Sequence, residues 1–169
     1  MTAGRDWTVI SPVRPMSSDN PALELDTFLP YRLSVLANRL SRDLARLYAE
    51  KFDIAIADWR VMAVLGRHPG IAADDVCRLT EMDKVAVSRA IQRLRSKRMV
   101  NRKTDATDRR RSVLKLSAGG NRTYQRIVPL ALRYERQLLA HLTAKTRGDL
   151  HDILGELDRA TRQIISEVG

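Results

Sequence analysis

The feature that most constrains the fold is a pair of short helical patterns in the middle of the chain. The segments span about residues 72–79 and 84–97, and the connection 80–83 between them has the length that a helix-turn-helix uses. Asp83 is a favourable N-cap for the second segment, because its carboxylate can accept backbone N–H bonds. The pair therefore predicts two packed helices of which the second is well defined at its start.

A β-hairpin pattern follows these helices. Residues 99–103 and 112–116 carry strand-forming residues and flank a polar turn over 104–108. Three arginines lie at or beside the tip, and they are Arg109, Arg110 and Arg111. Adjacent guanidinium groups repel one another unless they meet an anion, and a narrow DNA minor groove supplies strong negative potential. The tip is predicted to contact DNA, with a merely solubilising loop as the alternative.

The second helical segment has one apolar and one polar side. Its inner face is predicted to be Val87, Ala90, Ile91 and Leu94, and its predicted DNA-contacting residues are Lys84, Val85, Ser88, Arg89, Gln92 and Arg93. Arginine can bond guanine O6 and N7, glutamine can bond adenine N6 and N7, and Val85 can touch a thymine methyl. Lys84 and Ser88 suit phosphates, which position a protein without reading sequence. The alternative is that these residues form the solvent-exposed face of an ordinary basic helix and do not contact DNA.

Longer helices are predicted on both sides of this block. A leucine stripe predicts a helix over 30–52, a second helix spans about 57–67, and amphipathic patterns predict helices over 121–141 and 144–166. The stripes of the two chain ends are too extensive for the middle to cover, which predicts a homodimer interface made from both ends. The expected fold class is mainly α, with a helix-turn-helix lobe, a two-stranded hairpin and a helical dimerisation region.

These patterns divide the chain into three parts. Residues 1–24 contain proline and serine without a sustained apolar period and are predicted to form a disordered arm. The dimerisation region is assigned to 25–52 and 121–166, and the DNA-binding lobe to 53–120.

Composition limits the function classes. The formal net charge of +10 favours polyanions, most often nucleic acid. Cys77 is the single cysteine, so no intrachain disulfide can form, and it is expected to be a buried structural thiol. The sequence shows no apolar run of membrane-spanning length, no signal-peptide pattern, no catalytic motif, no metal-ligand spacing and no cofactor motif. We therefore expect a cytoplasmic, non-enzymatic protein without a metal or cofactor.

Several short stretches match one known family. They are Val87-Ser88-Arg89, Ile91-Gln92-Arg93-Leu94, Met99-Val100, Asp108-Arg109-Arg110 with Leu114 and Leu116, and upstream Asp58-Trp59-Arg60-Val61-Met62 and His68-Pro69-Gly70. Over residues 26–165 the chain resembles the MarR transcriptional regulators. The resemblance implies a winged-helix lobe on a dimerisation domain built from the N- and C-terminal helices, short pseudo-palindromic DNA sites and, in many members, release of DNA by a small aromatic acid.

Two positions depart from the family pattern. Arg98 stands where the family often has glycine. Because a non-glycine residue in a left-handed cap costs about 1 kcal/mol, we expect the second helical segment of the helix-turn-helix to end differently. Ala72 stands where a serine or threonine cap is usual, which weakens the start of the preceding helix.

Candidate effector residues lie outside the DNA-binding block. Arg32, Arg39 and Arg46 recur at seven-residue steps with Arg42 nearby, a cationic strip suited to an aromatic acid or a coenzyme A thioester. Tyr31, Arg32, Arg39 and Trp59 are the predicted ligand-binding residues; the alternatives are a solvated face for the arginines and a core position for Trp59. The expected function is a repressor that binds double-stranded DNA, and the competing class is a basic helical module that binds RNA or an anionic surface.

Overall fold

The computed structural model of the chain describes residues 22–104 and 112–168. The elements there are α1 (Leu29–Arg46), α2 (Ala49–Phe52), α3 (Ile56–Arg67), α4 (Ala73–Thr80), α5 (Lys84–Ser96), β1 (Val100–Thr104), β2 (Ser112–Leu116), α6 (Ala118–Ala140) and α7 (Ala144–Val168). This mainly helical fold with one antiparallel hairpin confirms the predicted fold class. Among the described residues no helix combines the length and apolarity needed to cross a membrane.

The chain divides into two compact units, the first ending at Arg39 and the second beginning at Leu40. In the first unit, the Glu24 carbonyl accepts bonds from the backbone N–H groups of Thr27 and Phe28 at 3.1 and 3.0 Å, which forms one turn ahead of α1. The first part of α1 leaves large apolar side chains exposed, and they include Leu29, Leu33 and Leu36. Residues 1–21 of the predicted disordered arm lie outside the described residues.

The core of the second unit is built around α3, which packs against α4, α5, β2 and α6. Val61, Met62 and Leu65 on α3 are almost fully buried, at one- and three-residue spacings that place them on one helical face. The buried apolar residues that surround them include Val76, Val87, Ala90, Leu94, Leu114 and Ile127. Because α3 lies behind both short helices, it sets the position from which α5 presents its outer side.

Alanine occupies the N-cap of both α3 and α4. Ala55 and Ala72 have no side-chain oxygen, so neither can accept from the helix, and neither helix has a side-chain cap at its start. The return half of a capping box does form, because Oδ2 of Asp58 and Oδ2 of Asp75 accept the N-cap N–H at 3.2 Å in each case. The start of α4 is therefore missing one of two reciprocal bonds, as Ala72 led us to expect.

Two predicted helix boundaries are wrong. The helix expected over 30–52 ends at Arg46, because Leu47 and Tyr48 donate to carbonyls only three residues back, and the Tyr48 side chain turns into the core with 1% exposure. The helix expected from 121 begins at Ala118 instead. Ser117 supplies its N-cap, with Oγ accepting from the Gly120 N–H at 3.0 Å.

The end of α5 is joined tightly to the start of α6. Arg98 adopts a left-handed backbone with φ of 55°, so the expectation that this helix would end differently is wrong. The Arg98 carbonyl accepts from Ser117 Oγ at 2.7 Å, and the Met99 carbonyl accepts from the Ser117 N–H at 2.9 Å. These bonds hold the strained residue in place, so the surrounding structure retains a conformation that arginine disfavours.

Replacement of Arg98 by glycine should therefore stabilise the chain. The Arg98→Gly variant keeps the backbone bonds and removes the Cβ penalty, so we expect the free energy of unfolding to rise by about 1 kcal/mol in urea denaturation. The control is Ser96→Gly, which places glycine in the last helical residue of α5 and should lower stability by about 1 kcal/mol at most. A destabilised Arg98→Gly chain would show that the arginine side chain itself has a stabilising role.

Candidate nucleic-acid interface

Helix α5 presents one polar side to solvent. Its start is fixed by Asp83, whose Oδ1 accepts from the Ala86 N–H at 2.7 Å, which confirms the predicted N-cap. Val87, Ala90 and Leu94 are buried against the core, and Ile91 is nearly so. Five of the six predicted contact residues of this helix are exposed on its other sides without a tie to the core, namely Lys84, Val85, Ser88, Arg89 and Gln92.

The first turn of α5 combines an exposed apolar group with a loosely held cation. The Val85 side chain is 59% exposed, although a valine gains free energy from burial. Lys84 Nζ lies 3.4 Å from Asp74 Oδ1, and both side chains are more than four-fifths exposed. An ion pair in that much water contributes little stability, so Lys84 can exchange Asp74 for another anion at small cost.

The hairpin is anchored next to α5. Leu114 of β2 pairs with Arg102 of β1, is 2% exposed, and its backbone N–H donates to the Ile71 carbonyl at 2.8 Å. Arg102 Nε also donates to Ser112 Oγ at 2.7 Å, and Ser112 belongs to the pair two positions further along the ladder. The base of the hairpin is thus fixed to the lobe, whereas the predicted contact residues Arg109, Arg110 and Arg111 lie outside the described residues.

A small cleft of about 140 Å³ separates α4, α5 and the hairpin. Its apolar floor is bordered by Lys84, Ser88, Arg102 and Ser112, and Cys77 lines it as well. Cys77 is partly exposed there, so the expectation of a buried thiol is wrong. Lysine, arginine and hydroxyl side chains therefore border the cleft between α4, α5 and the hairpin.

Arg93, which was predicted on the outer side with Arg89 and Gln92, is tied to α3, although its side chain stays 43% exposed. Its Nε and Nη2 both donate to Oδ1 of Asp58, at 2.9 and 2.6 Å, and Asp58 is 1% exposed. This hydrogen bond raises the pKa of Arg93 against the lowering effect of burial. The Arg93 guanidinium is thus directed at α3, and contact of α5 residues with DNA stays a prediction.

Comparison with known proteins agrees with this geometry. Residues 52–111, which include α3, α4, α5 and β1, match the model of the MarR family. A relative from Thauera aromatica, described as a putative transcriptional regulatory protein for the hcr operon, is 25% identical over 118 residues, covering 70% of this chain and 71% of that protein. The family match covers the segment from the end of α2 to the residue before β2, and over that segment the chain is similar to the MarR family.

Solved structures of other proteins share the fold of this chain. A MarR/EmrR family transcriptional regulator from Acinetobacter sp. ADP1 superposes with a TM-score of 0.76 at 25% identity, over 83% of this chain and 99% of that one. The BpsR protein of Bordetella bronchiseptica, whose DNA binding is regulated by 6-hydroxynicotinic acid, superposes with a TM-score of 0.71 at 19% identity, over 82% of this chain and 98% of that one. At 19% identity, the similarity to BpsR shows a shared fold alone.

The predicted ligand-binding residues lie in two places. Tyr31, Arg32 and Arg39 are exposed on α1 in the first unit. Trp59 lies in the second unit, where its ring is 5.7 Å from that of Tyr48 and 5.9 Å from that of Tyr124 between centroids. Trp59 is partly buried against the core, which supports the alternative of a packing role, and its part in a ligand site stays a prediction.

A second cleft, which sequence reasoning missed, lies within the second unit. It measures about 360 Å³ between the end of α1, α2 and the start of α3, and its lining includes Arg42, Arg46, Glu50 and Ile56. Arg46 also pairs with Asp43 at 3.4 Å. The seven-residue spacing of arginines in the sequence included Arg46. The break between α1 and α2 at Tyr48, which shapes this cleft, leaves no periodic pattern in the sequence.

Tyr48 gives the stability of the chain a testable pH dependence. Burial raises the pKa of Tyr48 to about 12, partly offset by Arg60, and Asp58 raises it further. An unfolded tyrosine titrates near pH 10, so the stabilisation is fully present below about pH 10 and is lost as the pH rises through about 12. We expect the free energy of unfolding to fall by about 2 kcal/mol over this range from Tyr48 alone, and the Tyr48→Phe variant to lack this part. Identical pH profiles for both chains would contradict the assignment.

Proposed function

We propose that the chain is a sequence-specific regulator that binds double-stranded DNA by inserting α5 into the major groove. The observation that carries this proposal is the outer side of α5, where Arg89, Gln92 and Val85 are exposed while the opposite side is fixed in the core. Arginine, glutamine and valine can distinguish guanine, adenine and thymine by their major-groove edges. The match of residues 52–111 to the MarR family supports this use of the helix.

The cationic and hydroxyl groups around α5 receive the phosphates. Lys84 and Ser88 stand at the start of the helix, and Arg102 stands at the base of the hairpin that carries the arginine tip. Such contacts supply much of the affinity and fix the register, and each neutralised phosphate adds to the salt dependence of binding. In this proposal Arg109, Arg110 and Arg111 reach a flanking minor groove.

A homodimer is the proposed binding unit. Large apolar side chains are exposed on α1 at Leu29, Leu33 and Leu36, and on α7 at Ile153, Leu154 and Ile164. Repeated apolar exposure along long helices marks an interaction surface, and a second copy covers the same surfaces symmetrically. Two copies of α5 would then read half-sites about one helical turn, roughly 10 bp, apart.

A small anionic aromatic ligand is the proposed effector, and repression followed by release is the proposed mode of control. The cleft beside Arg42 and Arg46 has cationic groups over an apolar lining, which suits a carboxylate on an aromatic ring. BpsR, whose DNA binding responds to 6-hydroxynicotinic acid, has the same fold. Release requires that the ligand bind the DNA-free arrangement more tightly than the DNA-bound one.

The test is a mobility-shift titration of the full chain against its own upstream DNA, with unrelated duplex as competitor. Aromatic acids and their coenzyme A thioesters are added to preformed complex. We expect retention over competitor and release by at least one compound. Retention without release by any compound would contradict the effector class alone. Binding without preference would contradict sequence-specific recognition and favour a basic module that binds RNA or an anionic surface.

A further inference from the structure

The outer side of α5 depends on a buried acid that lies on another helix. We propose that Asp58 is a positioning residue for DNA recognition, which holds Arg93 and thereby sets the rotation of α5, and that Arg93 itself reads no base. This inference rests on the proposed function of α5. It assigns the two members of one ion pair to orientation and leaves base reading to Arg89 and Gln92.

The hydrogen bonds of the Asp58–Arg93 pair restrict the orientation of both side chains. Arg93 places two donors on a single carboxylate oxygen, at 2.9 and 2.6 Å, while the other oxygen of Asp58 accepts from the Ala55 N–H at 3.2 Å. Both oxygens of the acid are thus engaged, one by α5 and one by the start of its own helix. Because Asp58 is 1% exposed, removal of its partner would leave a buried charge uncompensated, so the pair is strongly held.

The ion pair adds a directional contact to the apolar packing of α5. Burial of Val87, Ala90 and Leu94 decides which side of the helix faces the core, but apolar contact is not directional, whereas a charge-assisted hydrogen bond is. The C-cap residue Lys97 forms a second tie: its Nζ lies 2.8 Å from Asp53 Oδ2 and also donates to the Asp53 carbonyl, but the Asp53 side chain is 90% exposed and the ion pair is weak. The Asp58 pair is therefore the buried directional contact that sets the fine rotation of α5 within this packing.

The position of Arg93 on α5 decides how loss of the ion pair should affect base recognition. Arg93 follows Arg89 by one helical turn, so a free Arg93 would extend the reading face by one position. Instead, its guanidinium is held by α3. Loss of the tie should then disturb every base position read by α5 together, whereas loss of a base-reading side chain should flatten preference at one position.

The experiment uses a duplex that the wild-type chain enriches from a random-sequence library. Affinities for this duplex, for its single-base variants and for unrelated DNA are measured with Asp58→Asn and Arg93→Lys, well below their unfolding temperatures. We expect the ratio of specific to unrelated affinity to fall about tenfold for Asp58→Asn, evenly over all positions, with unchanged salt dependence. Arg93→Lys should show a smaller loss of the same kind, since lysine keeps the buried charge paired but cannot reproduce the two-donor geometry.

The matched control is Asp75→Asn. Asp75 makes the same 3.2 Å contact with the N-cap N–H of α4 that Asp58 makes in α3, so it tests loss of a capping acid without loss of the Arg93 contact. This variant should keep the base preferences of the wild type. An Asp58→Asn chain with wild-type preferences, or an Arg93→Lys chain altered at one base position only, would overturn the inference. Failure of the wild-type chain to enrich any sequence would instead overturn the proposed function, and the inference with it.

Discussion

The Gly120→Ala variant should lose about 3 kcal/mol or more of its free energy of unfolding. A Cβ on Gly120 would overlap the Met99 carbonyl oxygen and lie 2.9 Å from its carbonyl carbon. These are backbone atoms, and the same carbonyl accepts from the Ser117 N–H, so the clash cannot be relieved by rotating a side chain. The start of α6 or the end of α5 must move, and chemical denaturation at fixed protein concentration measures the cost.

The neighbouring glycine provides the control. A Cβ on Gly119 would have Ser117 Oγ and the Arg98 carbonyl at 3.6 and 3.7 Å, which are ordinary contacts. Because alanine is a better helix former than glycine, Gly119→Ala should be neutral or stabilising by up to about 1 kcal/mol. Equal stability for the Gly119→Ala and Gly120→Ala variants would contradict the close packing of α6 onto the end of α5.

The Arg89→Ala variant should show the largest loss of DNA affinity among the described α5 side chains. Arg89 is exposed on the outer side of the helix and forms no ion pair among the described residues. If it bonds a guanine, its truncation costs about 1–3 kcal/mol and relaxes preference at that base. Fluorescence anisotropy with a labelled specific duplex and with its single-base variants measures both effects.

Arg147→Ala is the charge-matched control. It removes one exposed arginine from α7, so the net charge changes by the same amount without any change to α5. It should bind the specific duplex within about twofold of the wild type, since one distant exposed charge is largely screened at physiological salt. If Arg89→Ala and Arg147→Ala weakened binding equally, affinity would follow overall charge and the assignment of Arg89 as a reader would be contradicted.

Local signals in the sequence were sufficient for the architecture of the lobe. The helix-turn-helix spacing, the Asp83 N-cap and the two strand patterns each depend on residues within one turn or one hairpin. The structure contains all three, with β1 beginning one residue later than expected. Alternating burial in β2 places Leu114 and Leu116 inward.

Contacts between distant parts of the chain could not be predicted in this way. Helical periodicity placed Arg93 near the outer side of α5, but its partner Asp58 lies 35 residues away on α3. Likewise the leucine stripe of α1 continues through Leu47, and only the burial of Tyr48 in the core explains why the helix stops. At Arg98 the local rule predicts a penalty for the left-handed conformation, but the bonds from Ser117 hold that conformation in spite of it.

Hydroxyl-radical footprinting on the enriched duplex tests the central claim most directly. If α5 of each copy in a dimer reads one half-site, the wild-type chain should protect two short backbone stretches about one helical turn, roughly 10 bp, apart on one face of the DNA. Arg89→Ala should lose both stretches together at concentrations where the wild type is bound. Protection spread evenly along the duplex and unchanged in Arg89→Ala would contradict the account, since it would show attraction to phosphate without reading of sequence.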